Sequence, residues 1–193
     1  IQSDSIGFET ESYLRSSTKG SLTATVYSIP DSPGLLNNAG RIILNYGNHD
    51  SLEAQEVHRY AKQASSYADV RLFSTPESRQ RLHSKTYTSV IEGTPTAFIS
   101  TSNLSSAALG SHIETREQRI RSYKKSIFQD NLAFKTTDKS IVSQVSEFQR
   151  VVSTGRVPES TRNILVNGQA THAVAQRISS SKKGDRVTVK SEY

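Results

Sequence analysis

The chain of 193 residues contains no cysteine, no methionine and no tryptophan. Without a thiol it can form no disulfide, present no thiolate nucleophile and build no cysteine metal site, and it carries no mark of its redox compartment. Methionine is missing even from the first position, so Ile1 reads as the product of processing or trimming. No apolar run approaches the ~20 residues that a membrane-crossing helix needs, and nothing at the start resembles a secretory signal. Hydrophobic residues are scarce as well, at 34%. Much of the polarity is serine and threonine, which places part of the chain outside any core.

Positive charge is what the chain has in excess. A formal net charge of +6 favours a polyanionic partner, nucleic acid first and an anionic membrane surface second. Arg116, Arg119, Arg121, Lys124 and Lys125 form one basic run, and Arg177, Lys182, Lys183, Arg186 and Lys190 another. Either run can contact backbone phosphates in a salt-dependent, sequence-independent way. An ordinary solvated charged face gives the same pattern. Few aromatics lie near residues 83–105 (Tyr87, Phe98 and Tyr123), so base stacking stays open but is not indicated.

The pattern along the chain predicts an α/β layer fold with a mainly parallel or mixed sheet. Residues 1–20 read as a polar arm, 21–155 as one domain and 156–193 as a basic, polar extension. Strands are expected over 22–29, 41–46 and 69–73, with a helix over 52–67. Residues 82–91 and 96–100 read as a hairpin turned at Glu92-Gly93-Thr94-Pro95. Ser105 caps a short helix over 105–110, and the charged segment 115–122 is a candidate strand. A helix over 138–153, capped by Asp138 or Ser140, sets Ile141, Val145, Phe148 and Val152 on one face.

Chemistry concentrates in two short stretches. His83-Ser84-Lys85 opens a strand-like run, and Asn103 follows the lysine by eighteen residues within Thr101-Ser102-Asn103-Leu104-Ser105. Residues i and i+2 of a strand share a face, so His83 and Lys85 can act together. Imidazole can attack phosphorus, while an ammonium and a carboxamide hold the non-bridging oxygens. The plain alternative is a strand that happens to show both side chains. No His, Asp or Glu pair has convincing ligand spacing and this chemistry requires no ion, so no metal or other cofactor is expected.

These residues resemble the phospholipase D superfamily motif, a His-x-Lys followed by an Asp, a Gly-Ser-x-Asn and a downstream Glu. Thr101-Ser102-Asn103-Leu104-Ser105 is also similar to the second motif of the tyrosyl-DNA phosphodiesterases. The match covers about residues 81–114. It implies a phospholipase-D-like mixed sheet flanked by helices on both faces. It makes His83 the nucleophile or acid, and Lys85 and Asn103 the phosphate-binding pair. Thr101 aligns with a serine that hydrogen-bonds within the site, Ser102 supports it, and Glu114 aligns with the carboxylate that orients the histidine. Two positions depart from the motif: Val90 stands where the Asp is expected, with Glu92 a poor substitute, and Ser100 replaces the Gly.

The implied reaction needs two imidazoles, one to attack phosphorus and one to protonate the leaving oxygen. A second His-x-Lys is absent. His49 sits in a turn after a core strand, His58 reads as a solvated helix residue and His112 as a residue of the site rim. A two-fold homodimer supplies the second His83. The expectation is a metal-independent phosphodiesterase, a nonspecific endonuclease working through a phosphohistidine. The rivals are a catalytically impaired nucleic-acid-binding or structural protein, and a phospholipase. Sequence leaves DNA, RNA and lipid substrates open.

Overall fold

The computed structural model describes residues 6–46, 52–74, 82–109 and 132–159, together with 175–176, 179–180 and 182. The chain divides into two compact units, Ile1–Val157 and Pro158–Tyr193. In the second, a helical turn is described in which Ser180 N donates to the Gln176 carbonyl and Ser179 Oγ to that of Ala175.

The first unit is an α/β arrangement on a six-stranded mixed sheet of order β3-β2-β1-β4-β5-β6. Its strands are β1 (Leu22–Val26), β2 (Ala39–Asn45), β3 (Asp69–Phe73), β4 (Lys85–Ile91), β5 (Thr94–Ser100) and β6 (Ala133–Thr136). The first three run parallel, while β4, β5 and β6 join as antiparallel neighbours. Parallel neighbours need a crossover. A 3-10 turn (Pro33–Leu36) lies between β1 and β2, and α2 (Leu52–Ala64) lies between β2 and β3. The strand order reverses direction between β1 and β4.

The expected strand over 69–73 is observed with those bounds, and the other expected strands are present with shifted ends. The hairpin is tighter than expected. Ile91 pairs with Thr94 across a two-residue turn, with Glu92 at φ 49 and Gly93 at φ 77. Positive φ at both positions defines the type I′ turn that matches strand twist. Pro95 therefore lies in β5, opposite Val90. Val90 directs its backbone N–H and carbonyl to Ser21 and Thr18 instead, so a proline opposite it removes no ladder bond there. Strand β6 was not anticipated, and the candidate strand over 115–122 lies outside the described residues.

The N-terminal segment corrects the arm reading. Residues Ile6–Ser16 form helix α1, with Ile6, Thr10, Tyr13 and Leu14 buried. One of those four, Thr10, is polar, and Ser17 just past the helix is buried as well, which hides the stripe in a Ser/Thr-rich sequence. The hydroxyls of Thr10 and Ser17 satisfy themselves on the carbonyls of Ile6 and Tyr13, so they can be buried on a helix. Gly7 lies against the backbone of Leu109 so closely that a Cβ would collide with its carbonyl oxygen. That approach joins α1 to α3 (Ser106–Leu109), the short helix following Asn103.

The main core gathers Tyr13 and Leu14 of α1, Val57, Tyr60 and Ala64 of α2, and Ala24, Ile42, Leu44, Tyr87 and Phe98 of the sheet. A second cluster holds Ile43, Phe73 and Leu82 with Val152 of α4 (Lys139–Val152). Asp138 caps α4 by accepting from Ile141 N, as expected. The buried stripe is Val142, Val145, Gln149 and Val152, so expected Ile141 and Phe148 sit at its margin. Gln149 is buried because its amide is saturated: it accepts from Thr88 Oγ1 at 2.6 Å and donates to the carbonyls of Thr86 and Thr23 at 2.9 and 3.1 Å. Gln149 thus clamps β1 to β4 at the point where the sheet order reverses.

Candidate active site

The antiparallel pairing of β4 and β5 builds the site from the backbone upward. Lys85, first residue of β4, is in register with Ser100, last residue of β5. Ser84 and His83 precede the ladder on one side, and Thr101 to Leu104 follow it on the other. One end of the hairpin therefore brings His83, Lys85 and Asn103 together in chain path. The C-terminal end of β1 reaches the same end, because Thr25 pairs with Thr86 in an antiparallel sense. Open α/β sheets place ligands beyond strand carboxyl ends where the order reverses, and β1 beside β4 is that place here.

His83 is exposed and Lys85 is 4% exposed. A lysine is buried only when its ammonium is held. The Lys85 Nζ lies 3.1 Å from Nε2 and 3.3 Å from Nδ1 of His83. An atom almost equidistant from both ring nitrogens sits against the ring face, out of line with either lone pair. The same Nζ lies 5.6 Å from the centroid of the Tyr27 ring, within cation–π range. Tyr27 also meets His83 edge-on, with centroids 4.6 Å apart and planes at 65°.

Asn103 supplies the third group. Its Oδ1 is buried and has no hydrogen-bond partner among the described residues. Leaving a buried carbonyl unpaired costs about 1–3 kcal/mol, and such exceptions in a native structure call for a reason. The loop around it is firmly made. Ser100 Oγ accepts from Ser102 N at 2.9 Å, and Ser102 Oγ donates to the Asn103 carbonyl at 3.0 Å. Asp31 N donates to the Leu104 carbonyl, tying this loop to the one after β1. Ser105 Oγ then accepts from Ala108 N, capping α3 as expected.

The remaining expected residues divide sharply. Thr101 is exposed and its Oγ1 accepts from Leu132 N at 2.9 Å, so the hydroxyl fastens the start of β6. Glu92 lies in the turn at the opposite end of the hairpin, and Val90 is one pair short of that end. A carboxylate at either place is a strand length away from His83. Glu114, His112, Arg116, Arg119, Arg121, Lys124, Lys125 and His49 lie outside the described residues. His58, expected to be simply solvated, receives or donates a 2.6 Å hydrogen bond with Tyr46 Oη. No group of three His, Asp or Glu side chains capable of holding a metal occurs among the described residues.

Two features escaped the sequence reading. Tyr27 is the first, and its only signal is position, one residue past β1 at a strand's carboxyl end. Ser100 is the second: it replaces a motif glycine, yet its hydroxyl makes the turn that carries Asn103. Beside them, a cleft of about 470 Å³ opens between residues 28–31 and α2, with Asp31, Glu56, Arg59 and Gln63 at its rim. His83, Lys85 and Asn103 do not line it.

No protein-family model matches the chain, and no curated protein does. Among solved structures, a mutant of yeast tyrosyl-DNA phosphodiesterase 1 superposes with a TM-score of 0.29 at 14% identity. The aligned part covers 49% of this chain and 23% of that one, and a likeness of this size carries no argument. The functional reading therefore rests on the site itself.

Proposed function

We propose that the chain is a phospholipase-D-like phosphodiesterase that cleaves nucleic acid as a nonspecific endonuclease without a metal ion. The observation carrying this reading is the buried Lys85 ammonium against the His83 ring, at the end of the sheet that also carries Asn103. An ammonium withdrawn from water costs stability. A phosphate diester places anionic oxygens where an ammonium and a carboxamide N–H can bind them.

In the proposed reaction a His83 nitrogen attacks phosphorus and forms a P–N bond. The P–O bond to the leaving oxygen breaks, and that oxygen takes a proton from a second imidazole. Water, giving its proton to the second imidazole, attacks the phosphohistidine and releases a phosphomonoester end. Lys85 and Asn103 stabilise the charge on the non-bridging oxygens throughout. The second imidazole is His83 of a second copy, related by a two-fold axis through the site. Glu114 is the proposed orienting carboxylate, and Arg116, Arg119, Arg121, Lys124 and Lys125 the proposed phosphate track along the polymer.

Several observations support the finer parts. The net charge of +6 suits a polyanion. Tyr13 of α1 packs on Tyr87 while Gln149 of α4 bonds Thr88, and neighbouring strand residues point to opposite faces. That supports helices on both faces of the sheet, as the phospholipase-D-like reading requires. No described helix is long and apolar enough to cross a membrane. The test is cleavage of plasmid DNA in excess EDTA, with 32P recovered on His83 from a slow substrate. Cleavage that persists undiminished in His83→Ala would falsify the reading. Headgroup release from phosphatidylcholine vesicles in place of DNA cleavage would move it to a phospholipase.

A further inference from the structure

We propose that Tyr27 is a positioning residue: its ring fixes the orientation of the His83 imidazole and the location of the Lys85 ammonium. The proposal rests on the phosphodiesterase reading for its kinetic consequences, but not for its structural ones.

Three observations lead to it. First, the β1–β4 register delivers Tyr27 to the segment that matters. Thr25 is opposite Thr86, so the chain two residues beyond Thr25 meets the chain two residues before Thr86, which is the His83–Lys85 segment. Second, one ring contacts both groups, the imidazole at 4.6 Å between centroids and the ammonium at 5.6 Å. Third, His83 precedes the first residue of β4 and is exposed, so neither the ladder nor core packing sets its ring. An attacking nitrogen must be held within roughly 0.5 Å and 10–20° of its productive geometry. The Tyr27 ring is a rigid contact to the imidazole, whereas Lys85 approaches on a four-carbon stem.

The ring does two things at once. Meeting the imidazole edge-on favours one tilt of His83, because aromatic pairs prefer such arrangements. Attracting the ammonium from 5.6 Å keeps Nζ beside the imidazole, where the proposed phosphate oxygen would arrive. Neither action uses the phenol oxygen, so a phenylalanine should serve as well. A leucine of comparable bulk should not.

The test compares the full chain with Tyr27→Phe and Tyr27→Leu by two readouts. The first is phosphodiester turnover in EDTA. Tyr27→Leu is expected to lower kcat by about 10²-fold, the effect of a misplacement near 1 Å, with KM changed by less than about 3-fold, while Tyr27→Phe stays within about 3-fold of the parent. The second is NMR of the His83 ring. Tyr27→Leu is expected to erase the ring-current shifts of the imidazole protons and the nuclear Overhauser contact between His83 and the Lys85 ε-methylene, and Tyr27→Phe to keep both. If the leucine chain does not fold, Tyr27→Thr, suited to a strand end, replaces it.

A leucine variant that keeps the His83–Lys85 contact overturns the proposal, whatever its turnover. So does one that loses the contact and keeps full kcat, or a phenylalanine variant as damaged as leucine, which would assign the role to the hydroxyl. Failure of the phosphodiesterase reading is distinct: the parent chain then shows no His83-dependent cleavage, and the NMR comparison alone decides on Tyr27.

Discussion

The two ends of the β4–β5 hairpin obey different rules. At the closed end the backbone is satisfied: a two-residue turn with glycine at its second position, Gly93, and a backbone edge at Val90 fastened by Thr18 and Ser21. At the open end the preferences are broken. A lysine is buried, a carboxamide oxygen is buried with no partner among the described residues, and a histidine stands exposed against both a cation and an aromatic edge. Proteins keep such violations where function requires them. The closed end should then govern stability and the open end turnover, and substitutions can separate the two.

The largest separation is expected at His83. Replacing this exposed side chain by alanine removes no core contact, so melting temperature should hold within about 2 °C. Turnover of a phosphodiester should fall by at least about 10³-fold, as for loss of a nucleophile or proton donor. Calorimetry and an initial-rate assay on the same preparation check both halves. Equal losses in the two measurements would erase the distinction between the hairpin ends.

Lys85→Met follows. Methionine matches the length of the stem and carries no charge, so a buried ammonium gives way to an apolar group. Stability should stay level or rise, because burying a charge is costly. Turnover should drop by about 10²–10³-fold through loss of an oxyanion partner. A destabilised variant with intact turnover would make Lys85 a structural residue. Asn103→Leu is expected to behave alike, since it removes a buried oxygen that has no partner among the described residues.

Gly93→Ala should show the converse, with a smaller effect. At φ 77 an alanine is strained although nothing lies within 4 Å of its Cβ. The expected cost is about 1 kcal/mol of stability, read as a lower denaturant midpoint, with turnover per folded molecule unchanged. A loss of turnover here would show that the two ends are coupled.

Much of this architecture is legible in the sequence, for identifiable reasons. Strands β2 and β3 are short apolar runs, and α4 has both a capping aspartate and an apolar period. His83, Lys85 and Asn103 are visible as residue types with suitable spacing. What stays hidden is whatever depends on polar residues satisfying one another. Helix α1 escapes because Thr10 and Ser17 bond their own preceding turn. Gln149 escapes because a buried glutamine looks like an error until Thr23, Thr86 and Thr88 are arranged around it. Pro95 misleads because its missing N–H matters only if the ladder needs one there. Tyr27 is concealed for another reason, since register alone brings it to His83 from fifty-six residues away.

A pH-dependent effect lies between the two ends, where Tyr13 joins the middle of the hairpin. Its hydroxyl donates to the Thr96 carbonyl at 2.9 Å and accepts from Ser89 Oγ at 3.1 Å. Burial pushes this phenol up from 10.0 to about 12, against the weaker lowering effect of Ser89. Below pH 10 folded and unfolded chains both keep the proton, and stability is complete. Between pH 10 and 12 the unfolded chain releases it while the folded chain holds it, so stability falls as pH rises, by roughly 2–3 kcal/mol at the upper limit. Burial raises the phenols of Tyr60 and Tyr87 too, which adds loss of the same sign. Denaturant titrations across this window should therefore slope less steeply for Tyr13→Phe than for the parent chain. Because Tyr13 acts on the fold and not on the phosphate, turnover per folded molecule should be the same in both at pH 8. A shift in turnover at that pH would mean that the centre of the hairpin transmits to the open end, and that the division between its two ends is incomplete.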